Sequence, residues 1–239
     1  MVELIPEFAA GEFTAQSPHP GWAPILRRLE IAAEWARSPV LDVGAGTGWL
    51  ALHLAEWGFD VTASDYGVPA RENFKANAAI AGRALAIEAQ NVSALTYPDE
   101  QFASLFCISV LAYVEDLQAA LRELWRVLQP GGIAVVGCLN AYGSYALIND
   151  RDPRSLFRRN RPRNDIREDV MHFHSPAWWQ REFAKQFDVL QVIPLEIFSP
   201  VIAKVAGYDV HPRLTRADVR LAAHLPKALA SEVIFVMRK

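Results

Sequence analysis

Residues 40–58, VLDVGAGTGWLALHLAEWG, constrain this chain more than any other stretch. Val40, Leu41, Asp42 and Val43 form a short apolar run with a single acid, the pattern of a buried strand. Gly44, Gly46 and Gly48 then recur at every second position, separated by Ala45 and Thr47. Residues 49–57 read as a helix, which Gly58 stops. Backbone leaving a buried strand must turn sharply here and let a ligand come close, and side chains at the glycine positions would obstruct both. The helix N-terminus that follows offers free N–H groups and the positive end of a dipole to an anionic group. The competing reading is a plain glycine-rich turn. Three alternating glycines directly behind an apolar strand count against it.

The next strand, residues 60–65, ends in Asp65. That acid lies about 20 residues past the glycine turn, the spacing of a carboxylate that binds ribose hydroxyls. The alternative for Asp65 is a turn or helix-capping residue. The fingerprint of dinucleotide-binding strands is G-x-G-x-x-G. Here the spacing is G-x-G-x-G, with Trp49 and Leu50 where the third glycine of that fingerprint would come into register.

The run Asp42-x-Gly44-x-Gly46-x-Gly48 resembles the nucleotide-binding motif of class I S-adenosylmethionine-dependent methyltransferases. The resemblance continues through Asp65, through Asn91 and Val92, and through residues 110–116. It ends in residues 124–132, LWRVLQPGG, which are similar to the family's "R-V-L-K-P-G-G" helix end and turn. It spans residues 38–140. It implies a doubly wound, Rossmann-like α/β sheet of seven strands with the last antiparallel, and S-adenosylmethionine as cofactor. It also implies roles. Asp42, Gly44, Gly46 and Gly48 would cradle the cofactor, and Asp65 would hold its ribose. Tyr66 would pack on the adenine face, or else on the protein as a turn aromatic. Asn91 and Val92 would meet the adenine edge, and Cys107, on the fourth strand, would lie near the methionine end. Three positions depart from the family pattern: Asn91 stands where an acid is usual, Ala103 where an acid commonly follows Phe102, and Tyr113 where many members have a histidine. An asparagine keeps an acceptor oxygen, so the adenine contact survives in neutral form. Tyr113 reads either as a substrate-side phenol or as a wedge between strand and helix.

The chain has 239 residues, a net charge of −3 and hydrophobic residues at 51% of positions. That suits one α/β domain over 1–239, with a cofactor-binding core at 38–140 and substrate-side insertions at 141–176 and 199–231. The mild acidity argues against a nucleic-acid binder that relies on bulk charge. The N-terminus carries no basic leader and no long apolar core, and no uncharged run reaches membrane-spanning length. Cys107 and Cys138 lie in apolar strand-like runs and read as buried fillers of a reduced, cytoplasmic protein. Between the strands, residues 24–37, 69–81 and 115–128 read as helices, the last with Leu117, Leu121, Leu124, Trp125 and Leu128 at helical spacing. Phe8 and Phe13 are candidates to pack onto the domain.

Arginines crowd residues 151–167 among several acids. They read as a solvated, self-neutralising loop or as a lid that grips an anionic group. An anionic small molecule is therefore one candidate acceptor. His172 and His174 would share a face of an extended segment, and a histidine is well poised to take a proton near neutral pH. His172, His174 and Tyr113 are thus the catalytic candidates, while two histidines alone make no metal site, so no metal is expected. Residues 173–176, Phe-His-Ser-Pro, resemble the family's "F-x-T/S-P" start of a substrate-side helix. Later strands are expected at 189–198 and 232–237, with a helix around 215–225. The expected reaction is O- or N-methylation of a small molecule by in-line displacement. Its rivals are a non-catalytic cofactor-binding scaffold, a nicotinamide-dependent oxidoreductase and a nucleic-acid methyltransferase. The last lacks the Asn/Asp-Pro-Pro-aromatic run that amino-directed DNA enzymes carry after the fourth strand. Both monomer and homodimer remain open.

Overall fold

The computed structural model describes residues 23–143, 161–163, 171–196, 217–218, 220–222, 224 and 226–239. Phe8 and Phe13, the arginines at 151–159 and 167, and all of 197–216 lie outside the described residues. Helix α1 spans Ala23–Ala33, and strand β1, Val40–Val43, leads through the glycine turn into α2, Trp49–Glu56. Strand β2 (Val61–Asp65), helix α3 (Val68–Ile80) and strand β3 (Ile87–Ala89) follow. Then come β4 (Phe102–Ile108), a 3₁₀ turn at Leu111–Tyr113, α4 (Leu117–Val127) and β5 (Leu128–Leu139). The last part comprises β6 (Arg161–Arg163), β7 (Met171–Phe173), α5 (Pro176–Phe183), β8 (Asp188–Glu196) and β9 (Glu232–Arg238).

Seven strands form one sheet in the order β3-β2-β1-β4-β5-β9-β8. Neighbours from β3 to β5 run parallel, while β9 lies antiparallel between β5 and β8. The doubly wound sheet with an antiparallel last strand is the expected one. The strand boundaries shift by a few residues. The largest difference is at β5, which starts at Leu128 rather than after the Gly131-Gly132 turn, because Leu128 pairs with Phe102 before a bulge. A small antiparallel pair, β6 with β7, was not legible in the sequence.

Period-2 alternation sorts the strands' side chains onto two faces. Leu105 and Cys107 of β4 face a core shared with Leu121 and Leu124 of α4 and Trp179 and Phe183 of α5. Phe106 of the same strand faces the opposite core, with Leu29 of α1, Leu54 of α2 and Val135 of β5. Trp179 and Phe183 are almost wholly buried, and each such side chain stabilises the fold by about 1.5–3 kcal/mol. Asp116 caps α4, its Oδ1 accepting from the Ala119 N–H at 2.8 Å, and Ser175 caps α5 in the same way through Trp178 at 3.1 Å. Among the described residues no helix is long and apolar enough to cross a membrane.

Strand order reverses between β1 and β4, the place where open parallel sheets bind ligands beyond their carboxyl ends. The glycine turn leaves β1 there, and residues 108–110 leave β4 beside it.

Candidate functional site

All three glycines of the turn have left-handed backbone, with φ of +69°, +57° and +90° at Gly44, Gly46 and Gly48. Their surroundings differ. A Cβ on Gly44 would lie 2.3 Å from Val110 Cγ2, and one on Gly48 would lie 2.6 Å from Phe74 Cδ2. A Cβ on Gly46 would meet nothing within 4 Å. Gly44 and Gly48 are thus closely packed against protein side chains, Gly44 also lining the cleft, while a side chain at Gly46 would enter open space. Asp65, at the end of β2, braces this loop: its Oδ2 accepts from the Gly46 N–H at 2.9 Å and its Oδ1 from the Gly67 N–H at 2.7 Å.

A cleft of about 640 Å³ opens at the switch point. Its walls include Val43 and Gly44 after β1, Asp65 and Tyr66 after β2, Asn91 and Val92 after β3, and Ser109 and Val110 after β4. Its volume falls in the range of cofactor sites. A second cavity of about 500 Å³ shares Tyr66, Gln90 and Asn91 with it and runs along the start of α3.

Asp42 lies behind the glycine loop on β1, 2% exposed, and its Oδ2 has no hydrogen-bond partner. Burial, and then the charge of Asp65, push its carboxyl up to about 7, against the bond that it accepts from the Ala51 N–H at the start of α2. The sign follows from linkage. Folded Asp42 keeps a proton that the unfolded chain has already lost above its ordinary value of 3.8. Stability is therefore highest below that value and falls as pH rises toward 7, by roughly 4 kcal/mol for a shift of this size. Asp42→Asn is expected to flatten that fall and to leave the variant more stable than the parent at pH 8. Urea titrations from pH 5 to pH 8 measure it, and equal slopes for both proteins would count against it.

The structure brings most of the predicted cofactor set to this place. Tyr66 is 76% exposed and lines both cavities, so its ring is not packed on the protein as a turn aromatic. Asn91 is exposed, and its Oδ1 already accepts from the Ser93 N–H at 2.9 Å. The second lone pair of that oxygen stays available for a donor. Val92 is buried beneath it. Cys107 is a correction: its side chain is fully buried among core residues on the α4 face of the sheet, and it lines neither cavity. Burial pushes its thiol far above the ordinary range. The alternation of β4 turns residue 107 inward, and the cleft is met by Ile108, Ser109 and Val110 instead.

On the acceptor side, Tyr113 stands half exposed in the cleft wall, on the 3₁₀ turn against which β7 packs. His174 is a second correction. Its ring is 9% exposed, stacks on Trp178 with centroids 3.6 Å apart and meets the edge of Trp179, outside the cleft lining. It packs the start of α5. His172 pairs with Pro162 through its backbone, and its side chain lies outside the described residues.

Two arrangements escaped sequence reasoning. Arg126, inside the quoted LWRVLQPGG run, donates to the Leu95 and Tyr97 carbonyls and to Glu123 and Asp99. Glu123 in turn accepts from the Leu95 N–H. The Arg126 guanidinium holds the Glu123 carboxyl below its usual range, and the pair fastens the loop after Val92 to α4. Their spacing in sequence, three apart on one helix, was a readable signal. The second arrangement joins Ser109, with φ of +60°, to Glu232 at the start of β9. Nothing local could have revealed it, since 123 residues separate the two.

The lining fits a nucleoside that carries an amino acid: backbone at Gly44, a carboxylate at Asp65, an acceptor oxygen at Asn91 and the Tyr66 ring, with the unpartnered Asp42 Oδ2 behind the loop. The fold is similar to that of solved S-adenosylmethionine-dependent methyltransferases. Residues 41–136 match the family described as "Methyltransferase domain". Over 112 residues the chain is 34% identical to the demethylmenaquinone methyltransferase of Thermus thermophilus, covering 46% of this chain and 51% of that protein. The chain thus spans about half the length of that curated relative, and 34% of an uncharacterized Mycobacterium tuberculosis protein with 36% identity. Its fold is similar to an S-adenosylmethionine-dependent methyltransferase of Mesorhizobium loti, with a TM-score of 0.63, 20% identity and coverage of 92% of this chain and 98% of that one. It is similar also to the 1,6-didemethyltoxoflavin-N1-methyltransferase of Burkholderia thailandensis, solved with S-adenosylhomocysteine (TM-score 0.60, 17% identity, 91% and 78% covered).

Proposed function

We propose that this chain transfers a methyl group from S-adenosylmethionine to an oxygen or nitrogen of a small-molecule acceptor. The observation that carries this reading is the cleft at the β1–β4 switch point, whose lining joins Gly44 of the glycine turn to Asp65, Tyr66 and Asn91, with Asp65 bonded to the Gly46 N–H behind it. When bound, the cofactor supplies a methyl group on a positively charged sulfur. The chain's own residues do the rest. Asp65 and the loop after β3 orient the nucleoside end, and Tyr66 offers a flat apolar face to its base. Ile108, Ser109, Val110 and Tyr113 form the wall against which an acceptor would be held in line with the methyl group, and holding two reactants at near-attack distance supplies most of the rate.

The described lining carries Asp65, Glu115 and Asp116 and, among the described residues, no lysine or arginine. A cleft of that sign suits the cationic cofactor and a neutral acceptor better than an anionic one. The arginines that suggested an anionic acceptor lie in the 151–167 stretch, of which only the Arg161–Arg163 backbone is described. The small-molecule reading also draws support from the curated relative, a demethylmenaquinone methyltransferase.

Calorimetric titration with S-adenosylmethionine, S-adenosylhomocysteine and NADH tests the cofactor. The first two should bind and NADH should give no heat. Binding of NADH alone would overturn the proposal in favour of an oxidoreductase. Cofactor binding without methyl transfer across a panel of hydroxyl and amine acceptors would favour the scaffold reading.

A further inference from the structure

Ser109 and Glu232 meet at the carboxyl end of β4. Ser109 lines the cleft, and its Oγ donates to Glu232 Oε1 at 2.5 Å. Its backbone sits at φ of +60°, a conformation that costs a non-glycine residue about 1–2 kcal/mol. The Ser109 N–H is anchored on the Gly137 carbonyl at 3.1 Å. Glu232 is 8% exposed, and its Oε1 would lie 2.7 Å from a Cβ on Gly137, so the absence of a side chain at Gly137 makes room for the carboxyl. The rest of β9 is apolar as far as Met237. Strained serine and buried acid are both unfavourable for folding, and they coincide at the wall of the cleft. Packing alone would be served better by glycine at 109 and an apolar residue at 232. Such a coincidence points to function.

We propose that Ser109 and Glu232 are the proton-accepting pair of this site, and that the acceptor carries an O–H or N–H whose proton they remove. This rests on the methyl-transfer reading. The acceptor's proton passes to Ser109 Oγ while the hydroxyl's own hydrogen passes to Glu232 Oε1. A bond forms between the acceptor's oxygen or nitrogen and the methyl carbon, and the electrons of the broken carbon–sulfur bond stay on sulfur. Ser109 touches the acceptor, and Glu232 is a positioning residue that acts through it. Among the described residues, the groups that face Glu232 are the Ser109 hydroxyl from the end of β4 and the Cys138 thiol from β5. Burial raises the Glu232 carboxyl above its usual range, and the Ser109 bond lowers it again. That balance gives the carboxylate the basicity to take a proton.

Carbon-13 spectra of the full chain labelled at glutamate carboxyls test the pair, with Glu232→Gln to assign the resonance. Glu232 should titrate above the ordinary glutamate value of about 4.3. Ser109→Ala should push it higher, because the hydroxyl bond favours the charged form. With S-adenosylmethionine and an O–H or N–H acceptor, Glu232→Gln should lower turnover about 100-fold and change its pH profile. Cofactor affinity should stay within about twofold of the parent on calorimetry, a change of about 0.4 kcal/mol or less. Glu232→Asp should restore part of the turnover. A Glu232 resonance in the ordinary range, or turnover untouched in Glu232→Gln, would overturn the pair. A parent chain that fails to bind S-adenosylmethionine would sink the methyltransferase reading itself, and the carboxyl titration would still judge the pair.

Discussion

Alanine at Gly46 is expected to weaken S-adenosylmethionine binding by about 100-fold or more, equivalent to roughly 2.8 kcal/mol, in a chain that still folds. The reason lies in what surrounds that residue. A Cβ there meets no protein atom within 4 Å beyond its chain neighbours, so the methyl group would project into open space beside the loop, where the proposed cofactor approaches. Folding bears only the strain of φ at +57°, about 1–2 kcal/mol. Calorimetry gives the affinity, and a urea melt on the same sample gives the stability. Unchanged affinity in Gly46→Ala would mean that the cofactor does not approach this loop, and the assignment of the cleft would fall with it.

Gly48→Ala should behave in the opposite way, with its main effect on folding. Its φ is +90°, and its Cβ would press into the Phe74 ring at 2.6 and 2.9 Å. Phe74 is fully buried among Ala51, Leu52 and Ala63, so the ring has nowhere to go. Conformational strain of about 1–2 kcal/mol adds to overpacking of about 1–3 kcal/mol. The expected loss is thus roughly 2–5 kcal/mol in a urea melt. Phe74→Ala alone should cost about 3–5 kcal/mol through the cavity that it leaves. The double variant should be less unstable than the sum, by roughly 1–2 kcal/mol, because the new methyl group occupies part of that cavity. Strict additivity would show that the two residues do not collide.

The contrast between these variants shows how far the sequence reaches. Gly44, Gly46 and Gly48 look equivalent in the string, and their spacing marked the turn that leaves β1 at the switch point. What each glycine does depends on Val110, on empty space and on Phe74, and none of these can be read from the spacing. Asp65 was equally legible, since its position after β2 is fixed by the length of one strand–helix–strand unit. The bond from the Gly46 N–H that ties it to the loop became visible only in three dimensions. Cys107 and His174 failed for one physical reason. Both sit in stretches that reach the site, but side-chain direction at a strand end or helix start decides between cleft and core. Strand alternation turns Cys107 into the core, and the cleft is met only where the chain leaves β4, at Ile108, Ser109 and Val110.

The sequence by itself determined the order of strands and helices, the glycine turn and the carboxylate that follows it, because these rest on local periodicity and on short-range backbone geometry. The tertiary structure alone decided the environment of Asp42 and the meeting of Ser109 with Glu232. Asp42 is raised toward 7 because folding removes it from water next to Asp65. Ser109 finds Glu232 because β9 inserts antiparallel beside β5 and returns the far end of the chain to the mouth of the cleft. Contacts of that span leave no local pattern in a single sequence, and they set the chemistry of the site.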